Sequence, residues 1–166
     1  MKKGTIVFNI QRKKGDLDMT KSIQKEYEED FYAWTAHNAK LLKEGKLSEI
    51  DVKNIAEEIE SMGKSEKREL MNRLAVLIAH LLKWQYQPGN RGNSWKYTIK
   101  EQRFRLAKLI EESPSLKHEL EKRIEEAYED AYYLALSETG LDEDTFPKSC
   151  PFGLKQCLNQ NFFPEK

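Results

Sequence analysis

The longest regular pattern in the chain is a stripe of apolar residues between Asp51 and Gln87. Its members recur at the spacing of one face of an α-helix. They are Val52, Ile55, Ile59, Met62, Leu70, Leu74, Leu77 and Leu81. From Leu74 to Leu82 the run is apolar on every side except at His80, which is typical of a buried helix. The pattern predicts one long helix of roughly 55 Å on which other elements pack.

Shorter helical patterns lie on both sides of this segment. They cover residues 25–44, 98–112 and 114–138. Gly45 and Gly140 end the first and the last of them, and Ser113–Pro114 is a typical helix start. A short helix is predicted to start at Cys150–Pro151 and to end at Leu158, and the aromatic tail after it is expected to dock on the other helices. We therefore expect an all-α fold, a helical bundle organised on one long central helix (about 51–87) with a short C-terminal helix.

The amino-terminal residues differ from the rest of the chain. Residues 1–18 carry five basic and two acidic residues, and residues 5–10 (TIVFNI) have strand propensity without a second strand to pair with. We expect a poorly ordered extension over 1–18, followed by a single all-helical domain over 19–166.

Composition excludes several classes of protein. The formal net charge of zero gives no overall attraction to nucleic acid or to an acidic membrane. The sequence has no secretory pattern and no long apolar run, so we expect a cytoplasmic protein without a membrane partner. Its two cysteines, Cys150 and Cys157, are predicted to be buried thiols too far apart for a disulfide.

One candidate site involves carboxylates at the start of the long helix. Glu57 and Glu60 are three residues apart and can point to one side of a helix. If the first helix folds back through Gly45, Glu60 comes close to Trp34 and His37. Glu57, Glu60 and His37 would then bind a divalent metal, the only cofactor considered, in a metal-dependent hydrolase or nucleotide-processing enzyme. The alternative, which we favour, is a solvated acidic face.

A second candidate, a polar or anion-binding site, lies at the other end of the long helix. It comprises His80, Trp84, Trp95 and Arg103. It cannot include Glu57, because Glu57 and His80 are about 35 Å apart along one helix. Arg103 occupies a helix face with Ile99, Leu106 and Ile110, so we predict that it points inward. A buried charge needs a partner, and we expect a carboxylate, either Glu66 or one on the fourth helix.

The same region supports a nucleic-acid hypothesis. Residues 91–108 contain six basic residues and one acidic residue, with Trp95, Tyr97 and Phe104 between them. Basic and aromatic side chains together suit phosphate contact and base stacking. The alternative is internal, because residues 119–130 contain six acidic and two basic residues and could neutralise the basic segment. We favour the internal alternative.

Several motifs occur in a fixed order along the chain: EEIESMGKSEKREL, HLLKWQYQP, SPSL, CPFGLKQCL and FFP. These motifs resemble those of the bacterial family catalogued as domain of unknown function 29. The resemblance covers the chain from about Tyr27 to Pro164. The resemblance implies an all-helical protein without an established activity, so no catalytic or cofactor-binding residue is transferred. We therefore predict a non-catalytic interaction or regulatory module that acts with a protein partner or as a homo-oligomer.

Overall fold

The computed structural model describes residues 25–165. These residues form helices joined by turns and loops, and they contain no strand. The predicted all-α fold, organised on one long helix, is confirmed. The α-helices are α1 (Phe31–Lys43), α2 (Val52–Tyr86), α3 (Asn93–Glu112), α4 (Leu120–Thr139) and α5 (Leu154–Leu158). Residues 25–29 are also helical. The predicted extension over 1–18 lies outside the described residues.

The chain divides into two compact units, of which the first ends at Met62 and the second begins at Gly63. Helix α2 contributes residues to both units because it runs through this boundary. The single domain expected over 19–166 stays a prediction.

The described part of the first unit is a helical hairpin. Asp30 separates the helical residues 25–29 from α1, because its side chain accepts a hydrogen bond from the Ala33 amide (3.0 Å) and caps α1. The helix predicted over 25–44 is therefore in two pieces. Gly45 follows α1 with a φ of +71°, a left-handed conformation that glycine adopts without strain, and the predicted end of the helix is confirmed.

A buried polar network fixes the hairpin turn. The Trp34 indole donates to Asp51 Oδ2 (3.3 Å), and the Asp51 amide donates to Asn38 Oδ1 (2.9 Å). Asp51 also accepts from the side chain of Asn54 (2.7 Å). The hairpin therefore packs against Asp51, which directly precedes α2, and against the face of α2 that contains Asn54 and Ile55.

One part of the predicted apolar stripe is wrong, since Val52, Ile59 and Met62 are exposed instead of buried. Ile55 is half-buried. The later members of the stripe, Leu70, Leu74, Leu77 and Leu81, are buried as predicted.

The second unit contains the main core. The buried residues come from the second half of α2, from α3 and α4, and from the carboxy-terminal segment, which contributes Phe146, Phe152 and Cys157. The predicted docking of the tail is confirmed, since Phe163 lies 4.8 Å from Trp84, measured between ring centroids. Gly140 ends α4 with a φ of +64°, also as predicted.

Two helix starts differ from prediction. Helix α3 begins at Asn93, five residues before the predicted start at 98, and so includes Trp95 in its first turn. Residues Pro114–Glu119 form a 3-10 helix, and α4 begins only at Leu120. Ser113 does not cap through its side chain, because its hydroxyl donates to Glu66 Oε2 (3.3 Å).

Candidate functional site

The second unit holds a buried lysine that the sequence pattern did not single out. Lys83 on α2 is only 3% exposed, and its Nζ donates to Glu138 Oε2 near the end of α4. Nζ also lies 3.3 Å from Nε2 of His80, and 4.8 Å from the ring centroid of Trp95 in the first turn of α3. The latter is an ordinary cation–π distance. These four residues, here the Lys83 cluster, connect α2, α3 and α4.

The proton of His80 can be placed from its partners. Nδ1 lies 2.9 Å from the Val76 carbonyl oxygen, which can only accept, so Nδ1 carries the proton and Nε2 accepts from Lys83. Burial lowers the pKa of His80, and the nearby Lys83 ammonium lowers it further, whereas the Val76 carbonyl and the Glu138 carboxylate oppose the change. The imidazole is therefore neutral at neutral pH, and both of its nitrogens have partners.

Arg103 is buried, as predicted, but its partners are not carboxylates. Its Nε donates to the Cys157 carbonyl (2.7 Å) and its Nη2 to the Gln156 carbonyl (3.3 Å). These carbonyls belong to the last turn of α5, where the helix dipole concentrates negative partial charge. The helix end replaces the expected carboxylate. Burial lowers the pKa of Arg103, and Nη1 has no hydrogen-bond partner among the described residues.

Trp84 belongs with Arg103 and not with His80. The ring of Phe163 lies 4.8 Å from that of Trp84 and 5.6 Å from the Arg103 guanidinium carbon, so it contacts both. Arg91 donates from Nε to the Trp84 carbonyl (2.7 Å). The four residues predicted as one polar site are thus found in two groups: His80 and Trp95 in the Lys83 cluster, and Trp84 and Arg103 around the carboxy-terminal tail.

The basic segment 91–108 is partly occupied by internal contacts. Arg103 is buried, and Arg91 lies against Trp84. The segment was expected to neutralise the acidic residues of the next helix, but the ion pairs run within α3 itself. Arg105 lies 3.6 Å from Glu101, and Lys108 lies 3.6 Å from Glu112. Pairs four residues apart form on one helix without any change in backbone position, which explains why they occur.

The predicted metal cluster of Glu57, Glu60 and His37 does not assemble. His37 Nδ1 lies 3.0 Å from Glu26 Oε2, and Glu57 lies 3.9 Å from Lys53 Nζ. Across residues 25–165, no three His, Cys, Asp or Glu side chains are grouped so that they could hold a metal ion. The hairpin places Glu58 against the first helical segment, where it accepts from the Tyr27 hydroxyl (2.6 Å).

The described part of the first unit exposes more large apolar side chains than it buries. In residues 25–62 the buried apolar side chains are Trp34 and Leu41. Seven large apolar side chains are exposed: Phe31, Tyr32, Leu42, Leu47, Val52, Ile59 and Met62. Among the described residues of the second unit the balance is reversed, with 21 buried core residues and three exposed large ones.

Four apolar residues of α2 lie along one line in the first unit. Val52, Ile59 and Met62 are 59%, 63% and 67% exposed, and the half-buried Ile55 lies between them. We name Val52, Ile55, Ile59 and Met62 the α2 seam.

Two parts of this arrangement were not predicted. Lys83 and Glu138 were missed, although a lysine three residues after His80 in an otherwise apolar run was a usable signal. The exposure of the α2 seam was missed because periodicity shows that residues share a face but not that a neighbour covers it.

The chain matches the model of one protein family along most of its length. The model of the family described as domain of unknown function DUF29 matches residues 26–163. No curated protein and no solved structure matches the chain. Within the described residues, none of the helices has the length and apolar character needed to cross a lipid bilayer.

Proposed function

The chain belongs to the DUF29 family, whose description assigns no activity, and from this premise we propose that it is a non-catalytic interaction module. The observation that carries the proposal is the imbalance in residues 25–62, where two large apolar residues are buried and seven are exposed. Covering exposed apolar surface with a partner is favourable, by roughly 25 cal/mol for each Å² removed from water. The proposed function is to bind a partner protein through the α2 seam.

The polar groups of the second unit support a structural role for that unit. In the Lys83 cluster, His80 is neutral and hydrogen-bonded at both nitrogens, and Lys83 contacts a carboxylate, an imidazole and an indole. Arg103 holds the end of α5. Groups that are buried and already bonded to the protein fix the positions of helices, whereas a catalytic group must reach a substrate.

A partner-capture experiment tests this proposal. Tagged wild-type chain and the seam variant Ile59→Gln/Met62→Gln would be used to recover proteins from the native host. The matched control is Tyr97→Gln/Phe104→Gln, which removes two side chains of the second unit that are 64% and 63% exposed. We expect a protein that wild type and control recover alike and the seam variant does not. Equal recovery by all three would refute the proposal.

The cellular location forms part of the same proposal. We place the protein in a reducing cytoplasm, and two free cysteines support this, since neither Cys150 nor Cys157 forms a disulfide.

A further inference from the structure

We infer that the second unit binds a methylated ammonium group in a groove along α4. The groove has a volume of about 390 Å³ and is lined by Glu125, Tyr128, Glu129, Tyr132, Tyr133 and Lys148. The inference goes beyond the proposed function, because none of these residues belongs to the α2 seam or to the Lys83 cluster. It rests on the tyrosine rings of the groove, on its carboxylates and on its own lysine.

The groove follows one face of a regular helix. Its residues on α4 are at positions 125, 128, 129, 132 and 133, and spacings of three and four place such residues in a row on one side of a helix. Lys148 lines the same groove from the segment that follows the 3-10 helix Glu143–Thr145. The volume of the groove lies within the range of small-molecule sites, roughly 300–1,000 Å³.

Three tyrosine rings give the groove an aromatic wall. The ring centroids of Tyr132 and Tyr133 are 5.3 Å apart and their planes are 88° apart. Those of Tyr128 and Tyr132 are 6.3 Å apart, with planes at 57°. Rings at such different angles present π faces in more than one direction, and a π face attracts a cation. Tyr133 is 62% exposed, so a ligand can reach it from solvent.

The hydroxyls of the two inner rings already have partners. The Tyr128 hydroxyl donates to the Pro147 carbonyl, and the Tyr132 hydroxyl donates to the Glu143 carbonyl (2.7 Å). These bonds fix both rings between α4 and residues 143–147. They also use the hydroxyl protons that an anion would need as donors, so these two rings offer a ligand mainly their π surface.

The carboxylates of the groove carry uncompensated negative charge. Within residues 25–165, the exposed side chains of Glu125 and Glu129 form neither an ion pair nor a hydrogen bond. The pKa of Tyr132 is raised by burial and further by Glu143 and Asp144, so two more carboxylates act on this ring. The groove therefore attracts a cation and repels an anion.

The lysine of the groove does not use this surface. Among the residues that the structure describes, the Lys148 ammonium forms no ion pair with Glu125 or Glu129 and no cation–π contact with a tyrosine ring. The aromatic and acidic surface is therefore open to a cation from another molecule.

A methylated ammonium group suits this lining better than a metal ion does. In the described part of the chain, no three His, Cys, Asp or Glu side chains are grouped so that they could hold a metal ion. A methylated ammonium group needs no such set of ligands, because it presents its charge through methyl groups that pack on aromatic rings. The same group occurs in small molecules such as choline and in trimethyllysine side chains of proteins.

Titration of the full chain with choline tests the inference. The comparison compound is the neutral alcohol in which a carbon atom replaces the choline nitrogen, so the shape is kept and the charge is lost. Binding is followed by NMR at constant ionic strength, through the ligand methyl resonance and the α4 amides. We expect choline to bind at least about tenfold more tightly than the neutral alcohol, with its methyl resonance shifted upfield by the rings.

Matched variants locate the binding. Tyr133→Leu should weaken choline binding at least about fivefold, whereas Tyr97→Leu, which removes a ring that is 64% exposed on α3, should leave it unchanged. Glu129→Gln should weaken it at least about twofold, and Glu111→Gln on α3 should not. Lys148→Gln removes a positive charge from the groove, so binding should become tighter.

A second arm distinguishes the two sources of the ligand. Two short peptides differ in one side chain, which is trimethyllysine in the first and leucine in the second. If the trimethyllysine peptide binds at least about tenfold more tightly than choline, the ligand is a protein side chain, and otherwise it is a small molecule. Either result supports the inference, provided that Tyr133→Leu weakens the binding.

Four results would overturn the inference. They are equal binding of choline and the neutral alcohol, no binding of either choline or the trimethyllysine peptide, equal effects of Tyr133→Leu and Tyr97→Leu, or weaker binding by Lys148→Gln. None of them bears on the proposed function, because the α2 seam is tested with other variants and another assay.

Discussion

The substitution Arg103→Met tests how the carboxy-terminal helix is held. Arg103 is 1% exposed, and it supplies two hydrogen bonds to the last carbonyls of α5, of 2.7 and 3.3 Å. Methionine keeps much of the apolar volume but supplies no donor. The two carbonyls of Cys157 and Gln156 then lose a charged partner inside the protein.

The size of the effect follows from these contacts. A hydrogen bond to a charged group contributes about 1.5–3 kcal/mol, and the longer of the two bonds should contribute less. Part of this loss of stability is offset, because a buried methionine does not carry the desolvation cost of a buried guanidinium. We therefore expect Arg103→Met to lower the free energy of unfolding by about 2–4 kcal/mol, with amides of residues 154–165 exchanging faster than the rest of the second unit.

Urea denaturation followed by circular dichroism gives the free energy, and hydrogen exchange with mass spectrometry gives its location. The matched control is Arg105→Met on the same helix. Arg105 is about half exposed and lies in a 3.6 Å pair with Glu101, so its loss should cost less than about 1 kcal/mol. Equal effects of the two substitutions, or unchanged exchange in residues 154–165, would refute the role assigned to Arg103.

Three further predictions concern the second unit. Glu138→Gln leaves the Lys83 ammonium buried without a carboxylate and should lower the free energy of unfolding, measured by urea denaturation, by about 1–3 kcal/mol. Lys83→Met removes the buried charge itself and should lower it by less than about 1 kcal/mol. A larger loss for Lys83→Met than for Glu138→Gln would refute this role of the pair. Burial lowers the folded-state pKa of His80, so the unfolded chain binds this proton first, and stability should fall as the pH drops below about 6.5. His80→Gln should flatten that dependence, and an unchanged slope would count against it. Burial also raises the pKa of Cys157 to about 12 and raises that of Cys150, so a thiol reagent at neutral pH should label the folded protein far more slowly than the unfolded one.

The sequence predicted the helices well, because its signals are local. Gly45 and Gly140 end helices where expected, since only glycine adopts the left-handed conformation there without strain. Leu74, Leu77 and Leu81 are buried, because a run that is apolar on all sides has no face that could be left in water. Helix starts were less predictable, and Ser113 is an example, because its hydroxyl had a tertiary partner in Glu66.

The sites could be predicted only in part, because they depend on which neighbour each side chain meets. The inward position of Arg103 followed from its helix face, but its partners did not, because carbonyls at a helix end leave no mark in the sequence. The cysteines show the same limit. On a single helix the two cysteines would be too far apart to meet. In the structure both thiols lie close to the Phe152 carbonyl oxygen, at 3.4 Å for Cys150 and 3.9 Å for Cys157. They approach each other because Cys150 precedes α5 and the chain turns back.

We propose that another protein covers the α2 seam, and site-specific photocrosslinking in the native host can detect that protein in place. A photoreactive phenylalanine analogue would replace Met62 in one chain and Phe104, which is similarly exposed on α3, in another. We expect a crosslinked product of higher mass from position 62 and little or none from position 104. Absence of a product at position 62, or equal products at both positions, would contradict it.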